Sequence, residues 1–356
     1  MREMTVRILK GDCREVLRTL PDESVHCVVT SPPYWGLRDY GFEGQIGLET
    51  DFGDYVAEMV DVFRETRRVL RADGTLWLNL GDSYAGSGRG GNPTEETSGL
   101  EGSQTSQRAS MIRRARGDSE VASTARDAAV TNRFRHAYKA APAGLKQKDL
   151  MGMPWRVAFA LQEDGWYLRQ DIIWSKPNSM PESVTDRCTK AHEYVFLLAK
   201  SDRYFYDASA IAEPAVKAGQ VLHSYGTGAK DRQDVSETND RRTRIGLANW
   251  NQACPDTRNR RSVWEITTKP FAEAHFATFP PELAELCIKA GCASGGTILD
   301  PFGGAGTTGM VADRLGRNAI LIELNPEYAA MAERRLHRDA GMFADVALTS
   351  AEETKP

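Results

Sequence analysis

The six cysteines, at positions 13, 27, 188, 254, 287 and 292, form no CxxC pair. Their spacing indicates neither a zinc site nor a disulfide framework, and it suits a reducing cytosol. No stretch approaches the roughly eighteen uninterrupted apolar residues of a membrane span. The opening MREMTVRILK runs straight into a strand-like segment and lacks the apolar core of a secretion signal, so a cytoplasmic protein is expected. Positive charge is not in excess: 45 Lys and Arg face 49 Asp and Glu, a net of −4. At 41% apolar and 26% charged residues the composition is that of an ordinary globular protein. A disulfide-stapled secreted fold, a membrane protein and a wholly disordered chain are therefore excluded. The 356 residues suffice for one large domain or two smaller ones.

The weak net charge conceals a pattern. Residues 85–148 hold eleven Lys and Arg against six Asp and Glu, and residues 215–262 hold nine against five. Two basic, polar segments are thus set into a body of net −13. Solvated loops are one reading. Phosphate-contacting surfaces are the other, because Arg and Lys supply the salt-dependent part of nucleic-acid affinity.

Outside these segments strands and helices alternate. Val6–Leu9 reads as a strand, Cys13–Leu20 as a helix and Val25–Thr30 as an apolar run suited to a strand buried on both faces. An amphipathic helix over Phe52–Leu70, stopped near Asp73-Gly74, precedes a strand at Thr75–Leu80. Helix Pro154–Glu163 and strands Tyr167–Trp174 and Glu193–Lys200 follow. The last part reads as helix Pro281–Ala290, strand Thr297–Leu299, helix Gly309–Leu315, strand Ala319–Glu323 and helix Pro326–Arg338. Such alternation predicts an α/β fold with a mostly parallel sheet covered on both faces.

Asp300-Pro301-Phe302-Gly303-Gly304-Ala305-Gly306-Thr307-Thr308 closes a strand and opens a helix. Gly304, Gly306 and Gly309 match G-x-G-x-x-G. Glycines let backbone approach a ligand, and the helix start offers free N–H groups; a turn serving packing alone is the alternative. Glu323, twenty residues after Gly303, ends the next strand, where a carboxylate can accept from both ribose hydroxyls. Only some thirty residues follow Glu323, too few for a conventional dinucleotide domain, though a permuted one could fit. S-adenosylmethionine explains the residues better, with Asp300 receiving the ammonium, directly or through water, and Glu323 the ribose.

Ser31-Pro32-Pro33-Tyr34 follows the buried strand. Two prolines fix the backbone and remove two N–H donors, leaving carbonyl oxygens, a hydroxyl and an aromatic face. That equipment can hold a planar base by stacking while accepting from its amino group; a plain turn with Tyr34 in the core is the other reading. Paired with the Asp300–Thr308 turn, the motif resembles the amino-group DNA methyltransferases, which methylate N4 of cytosine or N6 of adenine. Its placement ahead of the cofactor turn resembles the circularly permuted β group. The resemblance covers most of the chain outside the two basic segments.

The resemblance implies a Rossmann-like methyltransferase fold with a permuted, mixed but mostly parallel seven-stranded sheet. It implies Ser31, Pro32, Pro33 and Tyr34 as catalytic residues, with a flipped base stacked on Tyr34. Cofactor contacts fall to Asp12, Thr278, Phe279, Asp300, Phe302, Gly303, Gly304, Gly306, Thr307, Thr308, Glu323 and Asn325, Asp12 at the adenine. Trp174 and Lys176 would wall the base pocket or pack a loop. Arg241, Arg242, Arg244, Arg260 and Arg261 are candidates for DNA contact. The domain layout is a catalytic half (1–84 and 149–200), a basic DNA-contacting insert (85–148), a target-recognition region (201–265), a cofactor-binding half (266–340) and a tail (341–356).

The implied partners are double-stranded DNA, a cognate restriction endonuclease and a second copy of the chain. Serine at the motif's first position is commoner among the N4-cytosine enzymes, so cytosine is expected, with N6-adenine as the alternative. No Pro-Cys pair is present to supply a C5-cytosine nucleophile. An RNA or protein-amide methyltransferase and an inactive cofactor- or DNA-binding module are the remaining readings.

Overall fold

A computed structural model of the chain describes residues 5–86 (38 and 43 apart), 142, 144–216, 255–269, 279–340 and 345–350. Thr278, Arg241, Arg242 and Arg244 lie outside the described residues, as does most of each basic segment.

Among the described residues nine strands form one sheet. In chain order they are β1 (Thr5–Lys10), β2 (Val25–Thr30), β3 (Leu70–Leu80), β4 (Tyr167–Ser175), β5 (His192–Ala199), β8 (Val263–Glu265), β9 (Thr297–Asp300), β10 (Asn318–Glu323) and β11 (Asp345–Ser350). Their spatial order is β11-β1-β10-β9-β2-β3-β5-β4-β8, and β5 alone runs against its neighbours. Two-residue strands β6 (Glu213–Pro214) and β7 (Thr257–Arg258) pair separately.

Among the described residues six helices cover the faces. Helices α1 (Cys13–Thr19), α2 (Phe52–Val69) and α3 (Met153–Glu163) pack on one side. Helices α4 (Pro281–Gly291), α5 (Thr307–Arg314) and α6 (Pro326–Ala340) pack on the other. The apolar runs resolve into two faces by strand alternation. On β10, Ile320 and Ile322 point to the first side while Ala319 and Leu321 point to the second. Helix α2 forms because Tyr55, Met59, Val62, Phe63, Thr66 and Val69 recur on one buried stripe and Asp51 caps its start. Helix α3 has no side-chain cap of its own at Gly152. Asp82, at the end of β3, accepts instead from Gly152 N and Met153 N, both at 3.1 Å.

The sheet has nine strands rather than the seven expected. The three-residue β8 is too short to show a period, yet it pairs with β4 through Trp264, which is buried. Residues 345–350, read as tail, instead pair along the whole of β1, with Val346 and Leu348 packed on the second core. Strand β3 also begins at Leu70, directly from α2, because Asp73-Gly74 lies within the strand rather than stopping the helix. Among the described residues no helix is long and apolar enough to cross a membrane.

Candidate active site

The chemistry gathers at one edge of the sheet. Parallel strands β1, β10, β9, β2 and β3 end there, at Gly11-Asp12, Glu323, Asp300, Ser31–Tyr34 and Gly81-Asp82. Antiparallel β5 begins there with His192-Glu193, and β4 delivers Trp174 and Lys176. From β9 the chain moves on to β10 on one side, and from β2 to β3 on the other, so a topological switch point lies between them. Open α/β sheets bind ligands at such a crevice. Thr30 Oγ1 donates to Asp300 Oδ1 at 2.6 Å across it, tying the two predicted motifs together.

A cavity of about 520 Å³ opens at this edge, within the ~300–1,000 Å³ typical of small-molecule sites. One end is walled by Asp12, Phe302, Gly304, Glu323 and Asn325; the other by Ser31, Tyr34, Asn79, Trp174, Lys176 and Glu193, and Phe279 also lines the cavity. Glu323 Oε2 accepts from Gly304 N at 2.7 Å and Oε1 from Asn325 N at 2.8 Å. Burial nevertheless pushes its carboxyl up to about 7. Asp12 caps α1 by accepting from Arg14 N at 2.8 Å and holds the Arg14 guanidinium, which also pairs with Glu58. Two carboxylates, the Phe279 and Phe302 rings and Gly304 on the wall fit a nucleoside with a charged tail, as S-adenosylmethionine requires.

Asp300 sits deeper than the residues of the cavity wall. It is 2% exposed and lies behind the wall, not on it. Its second oxygen accepts from Thr308 Oγ1 at 2.6 Å, and Phe302 N donates to the first at 3.1 Å. Its partners are the Thr30 and Thr308 hydroxyls and the Phe302 amide, which pin β2 and α5 to β9. Burial pushes its carboxyl up to about 6.

The glycines likewise divide. Gly304 lines the cavity, whereas Gly303, Gly306, Thr307 and Thr308 do not. A Cβ on Gly303 would stand 2.9 Å from Leu321 Cβ, and one on Gly306 (φ +75°) 2.9 Å from Ala332 Cβ. These two glycines set packing of the turn and α5 against β10 and α6.

At the other end, Tyr34 is held by its hydroxyl. It donates to Glu193 Oε2 at 2.9 Å and accepts from Asn79 Nδ2 at 2.7 Å and Ser31 Oγ at 3.2 Å. Asn79 Nδ2 also donates to Glu193 Oε2 at 2.8 Å, and Lys176 Nζ donates to the other Glu193 oxygen. Burial opposes the Glu193 charge, but the Lys176 ammonium and these hydrogen bonds outweigh it and hold the carboxyl below its ordinary range. Burial and the Glu193 charge push the Tyr34 phenol well up, so it stays a donor. Gly81 makes room for the ring: a Cβ there would sit 2.6 Å from Tyr34 Cε2. The Pro33 carbonyl is taken by Tyr55 OH at 2.9 Å, while no described residue hydrogen-bonds to the Pro32 carbonyl.

Trp174 and Lys176 both line the cavity, the ammonium 4.1 Å from the indole centroid. Arg260 and Arg261 do not. Arg260 Nε donates to Ile211 O at 2.8 Å, so it ties β7 inward; Arg261 is exposed and pairs with Glu213 at 2.7 Å. Sequence reasoning missed Asn79 and Glu193. Asn79 was findable as a polar residue near the end of a buried strand. Glu193 was not, because only the antiparallel course of β5 brings its first residues to this edge. Thr268 and Lys269, after β8, also line the cavity and were missed.

Fold and site together define an α/β methyltransferase of the S-adenosylmethionine-dependent class. Residues 25–334 match the family model described as DNA methylase, of the N6/N4 type, and the chain belongs to that family. It is 44% identical over 334 residues to the type II methyltransferase M.SmaI of Serratia marcescens, spanning 93% of this chain and 91% of that protein. To M.XycI of Xanthomonas campestris pv. cyanopsidis it is 44% identical over 329 residues, 92% and 87% of the two chains. Among solved structures it superposes on the PvuII DNA methyltransferase, which is cytosine-N4-specific, with a TM-score of 0.56 at 17% identity over 97% and 96% of the chains. A DNA modification methylase of Thermus thermophilus, TTHA0409, complexed with S-adenosyl-L-methionine, matches at TM-score 0.52 and 21% identity over 97% and 99%. The chain is thus a DNA methyltransferase that uses S-adenosylmethionine, as the motifs implied.

Proposed function

We propose that the enzyme methylates N4 of cytosine within a specific site of double-stranded DNA. The observation that carries this reading is the Ser31-Pro32-Pro33-Tyr34 turn, with a hydroxyl rather than a carboxylate at its first position, walling the same cavity as Glu323. The target amine is inaccessible inside a duplex, so the base is flipped into the Tyr34 end. Tyr34 stacks on it, and the unused Pro32 carbonyl with the Ser31 hydroxyl accepts from the amino hydrogens. Those bonds draw the nitrogen lone pair out of ring conjugation and aim it toward the cofactor end; catalysis is chiefly positioning. Bound S-adenosylmethionine supplies an electrophilic sulfonium methyl. Asp12 takes its adenine, Glu323 its ribose, Phe279 packs at its methionine end, and Asp300 supports the turn from behind. Trp174 and Lys176 close the base end, and the two basic segments contact DNA. The names of the type II relatives support pairing with a cognate restriction endonuclease.

The test is purified protein with S-adenosylmethionine and unmethylated DNA of mixed sequence, followed by nucleoside mass spectrometry. N4-methylcytosine is expected. N6-methyladenine would replace the base assignment while keeping the enzyme class.

A further inference from the structure

We propose that Ser31, Tyr34 and Glu193 form a proton relay that carries the proton released from the target amine to a carboxylate on the cavity wall. The inference rests on the reading that the amine binds at Ser31. Methylation leaves one proton too many on the product nitrogen. The amine lone pair forms the new N–C bond, the S–C bond breaks with its electron pair passing to sulfur, and an N–H proton must depart.

The path out is continuous. Ser31 Oγ donates to Tyr34 OH at 3.2 Å, and Tyr34 OH donates to Glu193 Oε2 at 2.9 Å. The amine proton passes to Ser31 Oγ, the serine proton to the tyrosine oxygen and the tyrosine proton to the carboxylate. Each hydroxyl ends as it began, and Glu193 ends neutral. Each oxygen along the line lies within hydrogen-bond reach of the next. Asn79 Nδ2 lies 3.3 Å from Ser31 Oγ, 2.7 Å from Tyr34 OH and 2.8 Å from Glu193 Oε2, and its two N–H groups, shared among these oxygens, keep the three in line.

Plain positioning of Tyr34 explains less of this arrangement. A neutral amide at 193 would accept the phenol equally well, yet the chain places a carboxylate there, largely shielded from solvent, and provides Lys176 to hold it charged. The Asn79 amide cannot be turned around without setting its oxygen 2.8 Å from that carboxylate. In its present orientation Asn79 Oδ1 is buried without a partner among the described residues, so the orientation that serves the relay leaves that acceptor unpaired there.

The experiment follows a single turnover of wild type, Tyr34→Phe, Glu193→Gln and the double variant, with enzyme in excess over unmethylated DNA, in H₂O, D₂O and mixtures. Cofactor affinity and melting temperature are measured on each. Tyr34→Phe keeps the stacking ring and removes only the relay oxygen, so it stays informative should Glu193→Gln, which strands Lys176, fold poorly.

Each single variant is expected to lose about 100-fold in rate, the lower end of the range for acid–base catalysis, with cofactor affinity retained. The double variant should be no slower than the slower single one. The wild-type rate should curve with deuterium fraction, reporting several protons in flight, and Tyr34→Phe should remove the curvature. A wild type that methylates an amino base, together with an undiminished Tyr34→Phe rate, additive losses or no solvent isotope effect, overturns the relay and leaves the active-site reading standing. A wild type that forms no methylated base overturns both.

Discussion

Asp300 shows how a residue marked by a motif also ties the fold together. Its place before the glycine turn marks it in the sequence, but the folded chain surrounds it with Thr30, Thr308 and Phe302 rather than with open cavity. Burial raises its carboxyl from 3.8 to about 6, so the folded state holds the proton more tightly than the unfolded state. The associated stability is full below the lower value and is lost as pH rises through about 6, an upper limit of about 3 kcal/mol. Asp300→Asn should therefore flatten the decline in melting temperature of the cofactor-free protein between about pH 4 and 6, which thermal melts across that window measure. Tyr34 belongs to the same scale. Tyr34→Ala should cut turnover by about 100-fold or more, the order of one lost catalytic contribution, while calorimetry finds cofactor affinity nearly unchanged; unaltered turnover would remove its stacking role.

Among elements, the glycine turn and α5 show what backbone freedom is used for. Gly306 needs a left-handed φ and stands against Ala332 of α6, whereas Gly295, also left-handed, faces open space. Gly295→Ala should cost only the conformational strain, about 1–2 kcal/mol. Gly306→Ala should cost that plus about 1–3 kcal/mol for forcing α6 away. Urea denaturation of the two variants separates the contributions; equal losses would mean that α6 yields freely. The pattern of strands and helices was legible because long apolar runs and amphipathic stripes report burial directly. The failures were short or edge elements: three residues of β8 show no period, and β11 was set aside as a tail.

The whole molecule depends on an order of strands that joins sequence-distant segments. Asp12 and Glu323 end neighbouring strands although they lie at opposite ends of the chain, because β1 pairs with β10. Strand β11 covers the other edge of β1. Truncation after residue 344 should therefore lower the melting temperature and weaken cofactor binding, since β1, which carries Asp12 at its end, becomes an edge strand. Differential scanning fluorimetry with and without S-adenosylmethionine measures both effects. Retained affinity would show that β10 alone suffices to place Asp12.

By itself the sequence determined the class of fold, the two motifs and the cofactor, because each rests on local chemistry: a Pro-Pro turn after a buried run, or glycines between a strand and a helix. Tertiary structure alone decided which of those residues face the cavity. Asp300 and two of the turn's glycines turned inward, while Glu193 and Asn79, unmarked by any motif, came to surround Tyr34. The physical reason is that strand direction and order, set by the burial of two separate cores, choose which chain ends meet at the sheet's edge, and no local pattern encodes that choice.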